Sequence, residues 1–174
     1  MKIVINGGHF PPKDSGALGS TMTEAEYTAR LMPAVAGYLE KAGLTVLQIQ
    51  AEELADLTTA SNAWKADLFV SLHCNAYNKR ARGTEIFCHR GSKEGRRLAE
   101  CIQKQLIGAI HTTDRGVKEA GYYVLKYTKC PAVLVEVAFI DNVDDERILI
   151  DRFDDIARAI ARGVTDYIGR GRNA

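Results

Sequence analysis

The sequence predicts an α/β fold: a twisted, mostly parallel six-stranded sheet with helices on both faces, in a single domain. Three observations carry that reading. Short apolar, β-branched runs alternate with segments of helical periodicity, the order expected of a sheet covered by helices on both sides. Six such runs can be found, a usual number for one sheet. The 174 residues suit one core. No internal repeat, low-complexity stretch or Pro-, Gly- or Ser-rich linker divides them. The domain is therefore expected over 1–169, with a loose polar tail over 170–174.

The strand candidates, in order, are 2–6 (KIVIN), 44–49 (LTVLQI), 67–72 (DLFVSL), 83–88 (GTEIFC), 121–125 (GYYVL) and 132–139 (AVLVEVAF). The first helix is expected to start near Thr23, because Thr23 followed three residues later by Glu26 is a capping-box pattern. It is expected to end at Gly43 after Tyr27, Leu31, Val35, Tyr38 and Leu39 have marked one face, with a kink at Pro33. A weaker helix is expected over about 51–64, and a clearer one from Ser92 to Ile110, where Leu98, Ile102, Leu106 and Ile110 recur at helical spacing. A final helix carries a continuous apolar stripe from Phe153 to Ile168. Segments 7–22, 74–82 and 111–120 read as loops.

The 23 Lys and Arg balance 22 Asp and Glu without long runs of either sign, so charge points neither to nucleic acid nor to a membrane surface. Cys74, Cys88, Cys101 and Cys130 are widely spaced with no C-x-x-C pair, and read as reduced thiols. The opening "MKIVIN" is already a strand, and neither a secretory h-region nor a membrane-spanning segment is visible, so cytoplasmic synthesis is expected.

One position in the last strand candidate does not fit a buried strand. In "PAVLVEVAFIDN", Glu136 interrupts an apolar run. An unpaired carboxylate there would protonate or find a partner. In open α/β sheets ligands bind beyond the carboxyl ends of the strands. His9 follows the first strand and His73 ends the third, Glu24 opens the first helix, and Glu136 lies in the carboxyl half of its own strand. Two histidines and a carboxylate suit a catalytic zinc, with a fourth position left for water and a second carboxylate to take that water's proton. Each residue also has a plain structural reading. Lone histidines after strands often serve packing, a glutamate in a first turn is favoured by the helix dipole, and Glu136 could pair with a Lys or Arg. His89 and His111 read as structural.

The order GGH, then D-S-G-A-x-G, then a glutamate opening a helix, then "ADLFVSLHCNA", "DRGVK" and "PAVLVEVAFIDN" resembles the zinc-dependent N-acetylmuramoyl-L-alanine amidases of the Amidase_3 type. The resemblance runs from Lys2 to about Tyr167. It implies one zinc ion held by His9, Glu24 and His73, and Glu136 as the catalytic glutamate that activates water. It also implies hydrolysis of the amide between the lactyl group of N-acetylmuramic acid and the L-alanine of the peptide stem. The domain over 1–169 would then be the catalytic domain, and peptidoglycan its partner at the bacterial cell wall, reached by phage-type release or by way of a leader since removed. Asn75, Arg115, Lys118 and Asn142 lie in matching segments or neighbouring loops and are candidate contacts to the acidic stem peptide.

Glu24 and Glu26 cannot both face one metal, since two residues on a helix are about 200° apart. Alignment with the family favours Glu24. The chain departs from the family pattern at Asn6, where Asp is common, and at "HFPPKD", which replaces a glycine-rich loop. It is also shorter between Gln50 and Trp64 and lacks a Thr-Arg pair there. The same four groups would serve a zinc exopeptidase, or survive in an inactive wall-binding domain. A cysteine hydrolase using Cys74 or Cys130 would require an activated thiolate.

Overall fold

The structure, a computed structural model, describes residues 1–171. Six strands, β1 (Lys2–Gly7), β2 (Thr45–Ile49), β3 (Leu68–Asn75), β4 (Thr84–His89), β5 (Asp114–Ala120) and β6 (Ala132–Phe139), form one sheet in the order β2-β1-β3-β6-β4-β5. Neighbours run parallel except β4 and β6, which are antiparallel. The three central strands β1, β3 and β6 are buried along most of their length, as expected where both faces are covered. Their carboxyl ends share one edge of the sheet.

The six helices are α1 (Glu24–Lys41), α2 (Leu54–Trp64), α3 (Lys93–Ile110), α4 (Tyr123–Tyr127), α5 (Val143–Asp151) and α6 (Phe153–Gly171). One face of the sheet, presenting Ile3, Ile5, Val70, Val133 and Val135, forms a core with Leu31 and Leu39 of α1, Leu98 and Ile102 of α3, and Ile156 and Ile160 of α6. The opposite face presents Val4, Phe69 and Leu134 to Leu57 of α2 and to Val124 and Leu125 of α4. This second layer is smaller, and His73, Glu136 and Glu85 lie in one row across the strands beside it. None of the described helices is long and apolar enough to cross a membrane.

Thr23 does cap α1: its hydroxyl accepts from Glu26 N–H while the Glu26 carboxylate accepts from Thr23 N–H, and the helix runs on through Pro33. Three expectations are corrected. The segment read as strand 121–125 is instead the start of α4, and the fifth strand comes earlier, from 111–120, which read as loop. Val124 and Leu125 bury against Phe69 and Leu134, and each such burial is worth about 1.5–3 kcal/mol. That outweighs the strand preference of aromatic and β-branched residues, which spans about 1 kcal/mol. The third correction is α5, a short helix unanticipated between the sixth strand and the last helix. Of the expected loose tail 170–174, the first two residues continue α6 and 172–174 lie outside the described residues.

Segment α5 ties down the loops around the sheet edge. Asp145, fully buried, accepts from Gly83 N–H at 2.7 Å, Phe139 N–H at 2.9 Å and the Thr112 hydroxyl at 3.0 Å. Glu146 accepts from Thr21 N–H at 2.8 Å, fixing the loop that leads into α1. Asp141, just before the helix, accepts from the N–H groups of Tyr77 and Lys79.

Helices α3 and α6 approach closely at Gly163, where a Cβ would stand 2.4 Å from the Ile102 Cα. Alanine would gain about 1 kcal/mol of helix propensity, whereas overpacking costs about 1–3 kcal/mol. Because backbone is what it meets, the upper end of that cost applies. Gly163→Ala should therefore lower the melting temperature by about 4–8 °C, the equivalent of about 2 kcal/mol for a chain of this size. Circular dichroism checks this, and an unchanged midpoint would show that the two helices separate freely.

Candidate active site

The site is built at the carboxyl edge of β1, β3 and β6, on the face carrying α2 and α4. His9 follows β1 with a positive φ of 63°, in a chain segment pinned by Gly8 N–H to Leu72 O and by the Thr28 hydroxyl of α1 to Gly8 O. Gly8 and Gly16 make room: a Cβ at Gly8 would meet the His73 ring at 2.4 Å, and one at Gly16 would meet His9 at 2.5 Å and Glu24 at 2.6 Å. Gly16 also needs its left-handed φ of 62°.

These elements bring His9, Glu24 and His73 together. His9 Nε2 lies 3.0 Å from Glu24 Oε2, and His73 Nδ1 lies 2.9 Å from Glu24 Oε1. One ligand atom from each of the three falls within 4.8 Å of the others. Glu26 is exposed in its capping box, so the choice between the two glutamates falls on Glu24, which is 3% exposed.

The remaining ring nitrogens are already engaged. His9 Nδ1 is 2.7 Å from Asp14 Oδ2, and His73 Nε2 is 3.1 Å from the Ser71 hydroxyl, which itself donates to Asn6 Oδ1 at 2.6 Å. This network assigns the outer nitrogen of each ring as the N–H donor and turns the inner one toward the Glu24 carboxylate. Lone pairs would then face lone pairs at 2.9–3.0 Å, an arrangement that requires positive charge between them. Protons on the histidines or a metal cation satisfy it. Each histidine nitrogen faces its own oxygen of Glu24, and two imidazole nitrogens with one carboxylate are a usual zinc donor set. The donor set fits zinc.

Glu24 also accepts from Cys74 N–H at 3.0 Å and Ala17 N–H at 2.9 Å. Burial opposes its charge, but the hydrogen bonds from His73 and His9 prevail and hold the carboxyl at about 2. His9 is pushed up to about 9, chiefly by its hydrogen bond to Glu24, against its own burial.

Glu136 sits beside His73 in the β3–β6 ladder. The residue is only partly buried, yet its Oε2 is enclosed and has no hydrogen-bond partner among the described residues. Burial, with the charges of Glu24 and Glu85, raises its carboxyl to about 8, while His9 opposes the shift. Its apolar surroundings belong to a cavity of about 410 Å³ that includes His9 and His73 and is walled by Leu54, Leu57, Val124 and Leu134, with Tyr122 and Tyr123 at the rim.

Comparison with known families agrees with this geometry. A family model described as N-acetylmuramoyl-L-alanine amidase (Amidase_3) matches residues 3–166. The chain belongs to the Amidase_3 family. It is 37% identical over 174 residues to the N-acetylmuramoyl-L-alanine amidase LytC of Bacillus subtilis, covering 95% of this chain but only 35% of LytC. It is 33% identical to the uncharacterized protein YqiI of the same organism, covering 95% of this chain and 84% of YqiI. Among solved structures, the catalytic domain of CwlV, an N-acetylmuramoyl-L-alanine amidase from Bacillus (Paenibacillus) polymyxa var. colistinus, superposes with a TM-score of 0.88 at 30% identity, over 97% of this chain and 98% of that one. The chain thus covers 98% of the CwlV catalytic domain and about a third of the length of LytC.

The thiols take no part. Burial raises the Cys74 thiol well above its ordinary range and pushes Cys130 up to about 11, so neither ionises near neutrality. Asn142 caps α5 with its Oδ1 and donates from its Nδ2 to Lys79 O. Asn75, Arg115 and Lys118 instead converge on a residue that sequence reasoning missed. Glu85, 4% exposed, stands opposite Glu136 in the β4–β6 ladder and accepts from Asn75 at 2.7 Å, from Arg115 at 2.7 Å and from Lys118. A buried glutamate in "GTEIFC" was the available signal, of the same kind as Glu136.

Proposed function

We propose that this chain is a zinc-dependent hydrolase that cleaves the amide between the lactyl group of N-acetylmuramic acid and the L-alanine of the stem peptide in cell-wall peptidoglycan. The observation that carries the reading is the juxtaposition of three inward-facing ligand atoms with the unpartnered Oε2 of Glu136 on the adjacent strand. His9 Nε2, His73 Nδ1 and Glu24 would hold one zinc ion. Zinc supplies Lewis acidity that polarises the scissile carbonyl and lets water act as a nucleophile near neutral pH.

This chain's own residues do the rest. Asp14 and Ser71 fix the two rings in the ligating tautomer. Glu136 Oε2 takes the proton of the attacking water and returns it to the alanine nitrogen as that bond breaks. Burial raises this carboxyl, and a bound cation beside it would draw it back down, so that it could accept the water's proton and still hold it for the leaving amine. The apolar wall of Leu54, Leu57, Val124 and Leu134 keeps bulk water from screening these charges.

Zinc-loaded protein incubated with purified muropeptides is expected to release stem peptides bearing a free N-terminal L-alanine, to stop on addition of a chelator, and to resume when zinc is restored. Release of single C-terminal amino acids instead would overturn the reading in favour of an exopeptidase.

A further inference from the structure

We propose that Arg115 and Lys118 form a carboxylate-binding subsite that reads the free carboxylate of the stem residue following L-alanine. The inference rests on the amidase reading above and adds to it the chemical group that the peptide end of the site selects.

Glu85 cannot serve as a second base, because both its oxygens are used: Oε2 by Arg115 Nε and Lys118, Oε1 by Asn75 Nδ2. It is a fixed anchor for two cations. One cation would suffice to neutralise a buried carboxylate. The second leaves a surplus positive charge, and neither cation is enclosed: the side chains of Arg115 and Lys118 remain 33% and 41% exposed. Both lie over aromatic rings, the Arg115 guanidinium carbon 4.9 Å from the centre of Phe139 and the Lys118 ammonium 5.9 Å from the centre of Phe87. Stacking and the shared carboxylate orient donors that would otherwise be mobile.

Position gives the surplus charge its role. Glu85 faces Glu136 across the ladder, and Phe87 lies two residues further along the same face, so the cations stand on the side of Glu136 away from the two histidines. In the proposed reaction the alanine nitrogen leaves at Glu136, and the peptide continues away from the metal ligands, toward β4 and β5. Two strand spacings amount to about 10 Å. An extended chain covers that in about three residues' length at 3.3–3.6 Å each, which brings the group just beyond L-alanine within reach of a long Arg or Lys side chain. In peptidoglycan the residue at that place is D-isoglutamate, whose α-carboxyl is either free or amidated. A carboxylate there would complete charge-assisted hydrogen bonds that an amide cannot match.

Two substrates that differ only in this group test the subsite: N-acetylmuramoyl-L-alanyl-D-isoglutamate and the corresponding D-isoglutamine compound. Wild type is expected to favour the acid by about tenfold in kcat/KM, mainly through KM, the worth of one hydrogen bond to a charged partner. Arg115→Gln and Lys118→Gln should each lower turnover of the acid about tenfold more than that of the amide. In calorimetry, the dipeptide L-alanyl-D-isoglutamate should bind zinc-loaded wild type more tightly than its amide, with the difference lost in both variants. Equal kcat/KM for the two substrates, or an equal fall for both in the variants, would overturn the subsite. Cleavage of neither substrate, with the acid dipeptide still preferred by wild type and not by the variants, would count against the amidase reading alone and support the subsite.

Discussion

Glu136→Gln is expected to remove nearly all amide hydrolysis, by a factor of about 10²–10⁴ or more, while the protein keeps one zinc ion per chain. The direction follows from what glutamine retains and what it loses. It preserves the volume and polarity of the side chain, so the packing around β6 has no reason to change. It cannot accept a proton, and Oε2 forms no hydrogen bond among the described residues that the substitution would break. Metal retention is the discriminating measurement: if zinc content fell together with turnover, Glu136 would be a ligand and the roles of the two glutamates would be exchanged.

The same substitution has an expected effect on stability, of opposite sign to its effect on turnover. In the metal-free protein burial raises the Glu136 carboxyl from its ordinary 4.5 to about 8. A group whose folded value is raised favours folding below its unfolded value and loses that contribution as pH rises through the folded one. Between about 4.5 and 8 wild type therefore loses stability that the glutamine variant keeps. Chelator-treated Glu136→Gln should melt above wild type at pH 8.5 and match it near pH 4.5, a comparison that thermal scans make directly. Stability given up for chemistry is a usual mark of a functional carboxylate.

Glu136 was legible in the sequence because it breaks an apolar run, and His9 and His73 because they stand at the ends of strands. The central sheet was legible for a related reason: β1, β3 and β6 are buried on both faces, so most of their residues are apolar for a local cause. β5 escaped because its sequence, DRGVKEA, is that of an edge strand whose charges are answered from elsewhere. Arg115 and Lys118 meet Glu85, and Arg96 of α3 meets Glu119. Gly116, with φ at 76°, accompanies a register shift between β4 and β5 that interrupts any alternation. α5 was hidden because its buried positions Asp145 and Glu146, beside Leu149, are acidic, and backbone N–H and threonine hydroxyl donors, most of them distant in sequence, make that burial tolerable. In both segments tertiary partners override a local pattern that taken alone points to loop.

His73→Ala is expected to abolish zinc binding, leaving less than about a tenth of the wild-type metal content, because two remaining ligands cannot hold zinc against a chelating buffer. The reason lies in the charge arrangement of the site. With Asp14 and Ser71 taking the outer N–H of each ring, the Glu24 carboxylate faces two inner nitrogens, and a proton or a metal must lie between. On the His9 side a proton fills that place at low pH. His9, raised from 6.5 to about 9 by its hydrogen bond to Glu24, contributes stability that is complete below 6.5 and is lost as pH climbs through 9. Glu24, held at about 2 in spite of its burial, contributes above its ordinary 4.5 and loses that contribution as pH falls through 2. Metal-free protein should therefore draw most from this site between pH 4.5 and 6.5. Zinc must displace the His9 proton, so its apparent affinity should rise about tenfold per pH unit for each proton released, up to the pH at which the histidine is neutral. The rise in melting temperature on adding zinc to wild type should accordingly grow from pH 6.5 to 9, and be absent from His73→Ala throughout. Stoichiometric zinc in that variant, or a zinc-induced shift equal at both pH values in wild type, would show that the cation sits elsewhere.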